Sequence, residues 1–211
     1  MSIVVVANPK GGVGKSTLST HVAGYFARRG HSVMLGDADR QQSSSQWLQL
    51  RPPQARPIVT WDASRGDVLK PPRGTTHVVL DTPAGLHGKA LKEVLKRAHK
   101  LIIPLQPSMF DILATRAFLD ALQDRGVSSA LSIGVVGMRV DQRTLSAERL
   151  RDFVASLNLP VLGFLRETQV YIHLAAQGLT LFDVQPSQVR RDLEQWVPIC
   201  DWLDADAHAG F

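Results

Sequence analysis

The stretch NPKGGVGKST, residues 8–17, decides how the rest of the chain is read. It follows the apolar run IVVVA (3–7) and opens the amphipathic run KSTLSTHVAGYFARRG, which stops at Gly30. A buried strand, a glycine-rich turn and a helix start, in that order, make a cradle for phosphate. Gly11, Gly12 and Gly14 let the backbone curl around Val13 so that its N–H groups converge on an anion. The helix N-terminus adds partial positive charge. Lys15 can reach the β- and γ-phosphates of a nucleotide, Ser16 can ligate Mg²⁺, and Thr17 is a further donor near the α-phosphate. Two features depart from the usual G-x-x-x-x-G-K-[ST] pattern. Its first glycine is replaced by Pro9, and a second lysine, Lys10, stands beside it.

Outward from the loop, apolar runs alternate with longer amphipathic ones. Strands are expected at 3–7, 31–37, 56–61, 77–81, 100–105, 131–138 and 160–165. Helices are expected near 15–29, 43–50, 87–98, 110–124, 145–157 and 168–177, with another beginning near Ser187. Strands apolar on both faces and separated by helices specify an α/β fold. The expected architecture is a single P-loop domain over 1–211, with a mostly parallel twisted sheet and helices on both faces. The proline-rich stretches RPPQARP (51–57) and KPPRGTT (70–76) read as loops within that domain.

Two carboxylates end apolar strands, Asp37 in HSVMLGD and Asp81 in HVVLD. They emerge at the C-terminal edge of the sheet, where open α/β folds bind ligands. Phosphate-bound Mg²⁺ keeps several waters, and carboxylates hold those waters. Asp81 is the natural partner of such a metal, with Asp37 assisting. Asp39, two residues further into the loop, is better placed to orient an attacking water.

These blocks together resemble the ParA/MinD family of P-loop ATPases. KGGVGKST is similar to that family's deviant Walker A loop, which relaxes the first glycine and carries a signature lysine where Lys10 stands. LGDADRQQSSSQW (35–47) resembles its second block, with Asp37, Asp39 and Gln41 in place and Arg40 where proline is common. HVVLDTPAG (77–85) resembles the Walker B strand with its switch loop. LIIPLQPSMFDI (101–112) and FLRETQVYIHLAAQGLTLFD (164–183) resemble two later blocks. The resemblance implies ATP and Mg²⁺ as cofactors and Asp39 as a catalytic residue. It implies a γ-phosphate switch at Thr82, Pro83 and Gly85, and base contacts near Met138 and Arg139. It also implies that Lys10 reaches the nucleotide of a second subunit, so that ATP drives a sandwich homodimer whose slow basal hydrolysis is stimulated by a partner.

Charge bears on the surface such a switch would work on. The chain carries +5, while residues 192–211 hold Asp192, Glu194, Asp201, Asp204 and Asp206 and no Lys or Arg, so residues 1–191 carry +10. A basic body suits a polyanion. Arg166, Arg190 and Arg191 are candidate DNA contacts, and Lys89, Lys92, Lys96 and Lys100 recur at roughly helical spacing. An acidic C-terminus containing Pro198 lacks the basic face that meets anionic lipid, so no direct membrane anchor is expected. The chain begins close to the loop, as the short partition ATPases do. A cytoplasmic, nucleoid-associated ATPase acting in plasmid or chromosome partition with a small ParB-like or adaptor protein is the leading expectation. The same ATPase positioning another cargo (a chemoreceptor cluster, an organelle, a secretion or cellulose machine) is the alternative, with a MinD-like membrane-associated regulator behind it. A P-loop kinase shares the fold but would need an acceptor pocket that nothing identifies. A reductase that bridges an iron–sulfur cluster needs two cysteines per subunit, and Cys200 is the only one.

Overall fold

The computed structural model describes residues 1–62, 71, 73–123 and 131–205. Among the described residues, seven strands and seven helices follow one another: β1 (Ser2–Val6), α1 (Lys15–Arg28), β2 (Val33–Asp37), α2 (Ser43–Leu50), β3 (Val59–Asp62), β4 (His77–Asp81), α3 (Gly88–Leu95), β5 (Lys100–Leu105), α4 (Met109–Gln123), β6 (Ser132–Gly137), α5 (Leu145–Ala155), β7 (Val161–Phe164), α6 (Gln169–Ala175) and α7 (Pro186–Asp204). Each element expected from the apolar pattern is present, with ends within a few residues of those expected. Residues 63–70, 72, 124–130 and 206–211, which include part of the second proline-rich loop and Asp206, lie outside the described residues.

The sheet runs β3-β2-β4-β1-β5-β6-β7, and every pairing is parallel. Successive side chains of a strand point to opposite faces, and β1 shows the consequence. Val4 and Val6 join a core with Leu18, Val22 and Phe26 of α1 and Trp196 and Ile199 of α7. Ile3 and Val5 join a second core with Leu91 and Leu95 of α3 and Phe118 and Leu119 of α4. A third cluster seats Leu150 and Phe153 of α5 on Val135 and Leu105. Burial on both faces explains why the strands read as continuous apolar runs.

The last helix corrects one expectation. α7 runs through Pro198 and continues to Asp204. Its apolar side is buried through Trp196, Ile199 and Leu203. Lys100 does not share a solvated face with Lys89, Lys92 and Lys96. It is the first residue of β5 and only 3% exposed. Its ammonium donates to the carbonyls of Trp202, Leu203 and Ala205 at 2.5, 2.8 and 2.6 Å. Carbonyls at a helix C-terminus lack intrahelical partners and carry partial negative charge, which a buried cation satisfies. The periodicity that suggested a basic helix face ran past the end of that helix. Lys100→Ala leaves three carbonyls, that of Leu203 buried, short of a donor, and is expected to lower stability by about 2–3 kcal/mol, measured by urea denaturation.

Candidate nucleotide site

The C-terminal ends of β1, β2 and β4 converge on one cleft of about 760 Å³. Gly11, Gly12, Gly14, Lys15, Ser16 and Thr17 line one wall, and Ala38, Asp39, Arg40, Gln41 and Ser43 line another. Pro83, Ala84 and Arg139 complete it. Residues expected from four separate stretches are thus brought together.

The loop is built by its backbone and pinned by side chains. Gly12 and Gly14 have φ of 76° and 97°, a region that L side chains rarely adopt. At Gly14 a Cβ would also lie 2.7 Å from Cε of Met138. Asn8 anchors the loop's base, donating from Nδ2 to Pro104 O and Thr115 Oγ1 at 2.7 and 3.0 Å. Its Oδ1 accepts the Lys10 N–H. Gln106 Nε2 donates to Gly12 O at 2.8 Å. Pro9 holds the switch loop, since its carbonyl accepts the Gly85 N–H at 2.9 Å. A proline retains that acceptor, so the pattern's missing glycine is compatible with the fold.

Lys15 is 7% exposed, and its Nζ donates to Lys10 O at 2.6 Å. Burial lowers its pKa, against the pull of Asp81 and Asp39. Lys10 is half-buried on the rim. Its charge reaches Asp111 of α4, whose pKa burial raises and Lys10 opposes. Beside Asp111, Met109, Phe110 and Leu113 are 51%, 76% and 57% exposed.

The two strand-end carboxylates are register partners on β2 and β4. They differ in what holds them. Asp37 is fully buried, and both of its oxygens accept backbone N–H groups. Oδ1 takes Asp39 and Oδ2 takes Ser45, each at 3.0 Å. These bonds fix the Asp39 loop to the start of α2. Asp81 is 1% exposed, and Oδ2 accepts the Ser44 hydroxyl at 2.5 Å. Among the described residues, Oδ1 has no hydrogen-bond partner. Burial raises its pKa to about 6, opposed by the Ser44 and Ser16 hydroxyls and by Lys15. A buried, unpartnered carboxylate oxygen near a P-loop serine fits a hydrated Mg²⁺, because a metal-bound water would supply the missing donor. Asp39 faces the cleft, and its Oδ1 accepts the Gln41 N–H at 3.0 Å.

The expected switch residues divide. Thr82 is buried, and its hydroxyl donates to Val6 O at 2.8 Å, locking β4 to β1 rather than facing the cleft. Pro83 lines the cleft, and Gly85 adopts φ of 75°.

A second cavity of about 380 Å³ adjoins Gly14 and Thr17. Met138 and Arg139, the expected base contacts, line it together with Thr168, Tyr171 and Ile172. Arg139 has φ of 53° and reaches both cavities. Tyr171 is held by Trp196, whose Nε1 donates to its hydroxyl at 3.0 Å. His21 stacks on Trp196. Burial pushes His21 down to about 4, so it is neutral and donates from Nδ1 to Thr17 O.

The model of the CobQ/CobB/MinD/ParA nucleotide-binding domain matches residues 4–181. The chain belongs to this family. Among curated proteins in this CobQ/CobB/MinD/ParA family, it is similar to the maintenance of carboxysome distribution protein A of Gloeobacter kilaueensis. The two are 27% identical over 212 residues, 97% of this chain and 94% of that one. Among solved structures, it shares its fold with the ATP complex of Cyanothece McdA(D38A), at 18% identity and a TM-score of 0.72, covering 94% of this chain and 96% of that one. It likewise resembles the septum site-determining protein MinD of Pyrococcus horikoshii complexed with Mg-ADP, at 16% identity and a TM-score of 0.70, covering 96% of each chain.

Of the expected DNA contacts, Arg190 and Arg191 are exposed in the first turns of α7. Arg166 is not free. Its Nε and NH2 donate to Asp192 at 2.7 and 3.0 Å. Asn8, Gln106, Ser44 and Tyr171 were not legible as site residues, because single polar side chains in a sequence carry no record of the distant backbone they hold.

The Asp81 shift fixes a sign. Its folded-state pKa lies above the ordinary 3.8, so the fold is favoured by this group at low pH and loses that contribution as pH rises through about 6. Asp81→Asn should raise the stability of the nucleotide-free protein at pH 7.5 by an amount on the order of 1–3 kcal/mol. The gap from wild type should close towards pH 4, as followed by denaturant titration at each pH.

Proposed function

We propose that this chain is an ATP- and Mg²⁺-dependent switch that dimerises with ATP, binds nonspecific DNA, and positions a cargo until a partner protein stimulates hydrolysis. The observation that carries the reading is the meeting of Lys15 and Asp39 on one cleft at the phosphate loop, with the buried Asp81 carboxylate within electrostatic reach of Lys15. The protein's part in phosphoryl transfer is positioning and charge stabilisation. The loop amides and α1 receive the phosphates. Lys15 exchanges the Lys10 carbonyl for the β- and γ-oxygens. Ser16 and Oδ1 of Asp81 hold Mg²⁺ and its water shell, and that ion supplies charge neutralisation on the phosphates. Asp39 orients the attacking water. The cavity formed by Met138, Arg139, Tyr171 and Ile172 takes the base.

Dimerisation is supported by the rim. Lys10 lies where a second copy would meet the phosphates, and the exposed Met109, Phe110 and Leu113 stand beside it on α4. A polyanion surface is supported by the basic body, with Arg190 and Arg191 as contacts. The apolar side of α7 is buried in the core rather than free to meet lipid, and no helix among the described residues is long and apolar enough to cross a membrane. We place the chain in the cytoplasm, on the nucleoid. The relative matched along nearly its full length is named for carboxysome distribution. That similarity favours positioning of a macromolecular cargo over partition of DNA itself. Partition remains the second reading, supported by 25% identity over 153 residues to the protein ParA of Rhizobium radiobacter, 70% of this chain and 69% of that one.

Asp39→Ala is expected to slow partner-stimulated hydrolysis roughly 100-fold or more while an ATP-bound dimer accumulates in size-exclusion chromatography. Lys10→Ala should bind ATP normally yet show no partner-stimulated turnover; full stimulation in that variant removes the role across the dimer. Replacing Arg190 and Arg191 together by alanine should weaken ATP-dependent DNA binding at all sequences. It should also flatten the dependence of log affinity on log salt by about 2, read by fluorescence anisotropy.

A further inference from the structure

Ser44 has no place in the site as derived from the sequence, yet its hydroxyl bonds the metal-side carboxylate directly. It occupies the second position of α2 and is fully buried. Serines at helix starts commonly bond the local backbone. This one reaches across 37 residues to donate to Oδ2 of Asp81 at 2.5 Å. Its neighbour Ser45 gives its backbone N–H to Oδ2 of Asp37. The first turn of α2 therefore holds both strand-end carboxylates, one through a hydroxyl and one through an amide. The outcome is asymmetric. Asp37 has both oxygens engaged, whereas Asp81 keeps Oδ1 without a partner.

We propose that Ser44 is a positioning residue for the metal: its hydroxyl pins Oδ2 of Asp81, so that Oδ1 alone is turned to the waters of Mg²⁺. This inference rests on the ATP and Mg²⁺ reading of the cleft. The physical reason is rotational. A carboxylate at a strand end can turn about its last torsion, a broad and roughly two-fold well, and a single short hydrogen bond to one oxygen removes that freedom. Partners that orient a metal-binding group typically govern metal affinity 10- to 100-fold. Ser44 lies on the helix that follows Asp39, with Asp37 tying loop to helix, so the same turn sets both the metal-side carboxylate and the residue that orients water.

The test is a Mg²⁺ titration of fluorescent-ADP binding to the whole protein, compared with binding in EDTA. Ser44→Ala should shift the Mg²⁺ concentration for half-maximal effect upward by roughly tenfold, with affinity in EDTA unchanged. Ser44→Cys keeps the volume with a weaker donor and should fall between the two, which keeps the question answerable if the alanine variant folds poorly. Because Ser44 acts through Asp81, the double variant Ser44→Ala/Asp81→Asn should match Asp81→Asn alone. A wild-type Mg²⁺ curve in Ser44→Ala or Ser44→Cys, or a further shift in the double variant, overturns the proposal. If Mg²⁺ has no effect on the wild-type protein, it is the reading of the cleft itself that fails.

Discussion

Two negative charges end neighbouring parallel strands side by side, and the site depends on how that repulsion is resolved. Asp37 and Asp81 are register partners, both almost fully buried. Burial, with a smaller push from the neighbouring Asp37 carboxylate, shifts Asp81 towards protonation. The fold answers with the N-terminus of α2, whose partial positive charge and free amides face Asp37. It adds Lys15 from the opposite wall, which pulls Asp81 back towards ionisation. What is left over is one carboxylate oxygen with no partner, facing the place where a phosphate-bound cation belongs. The destabilisation stored there in the free protein is of the kind that ligand binding relieves.

The phosphate loop obeys a related constraint. A turn that points its amides inward must turn carbonyls elsewhere, and each needs a donor. Lys15 takes the carbonyl of Lys10, Gln106 that of Gly12, and Gly85 that of Pro9. The last of these ties the switch loop after β4 directly to the phosphate loop. The substitution of proline for the usual glycine is thus not a weakened cradle. A carbonyl is what the position contributes, and the rigid ring keeps it.

Much of this was legible in advance. Strands with apolar residues on both faces could only belong to a parallel sheet covered on both sides, and β1, β4 and β5 are such strands. Lys15, Ser16, Asp39 and Asp81 were readable because their chemistry is tied to fixed spacing from a strand end or a glycine. Elsewhere, spacing was a poor guide to partners. Lys100 continued a helical spacing but sits in a strand, beneath the end of α7. Asp37 had the right type and the right strand end, yet its oxygens are engaged by Asp39 and Ser45. Thr82 lies in the switch segment but bonds backward to Val6. Arg166 looked like a free cation until Asp192 was placed against it.

The sequence by itself determined the layer order of the fold, the phosphate cradle and the presence of a second lysine on its rim. These follow from local periodicity and from residues within one turn of each other, which a linear string records. Only the tertiary structure decided which oxygen of Asp81 is left without a partner among the described residues, and which serine holds the other. That choice depends on a hydroxyl and a carboxylate 37 residues apart meeting at hydrogen-bond distance. Such a contact is created by strand register and helix docking, and no spacing in the chain encodes it.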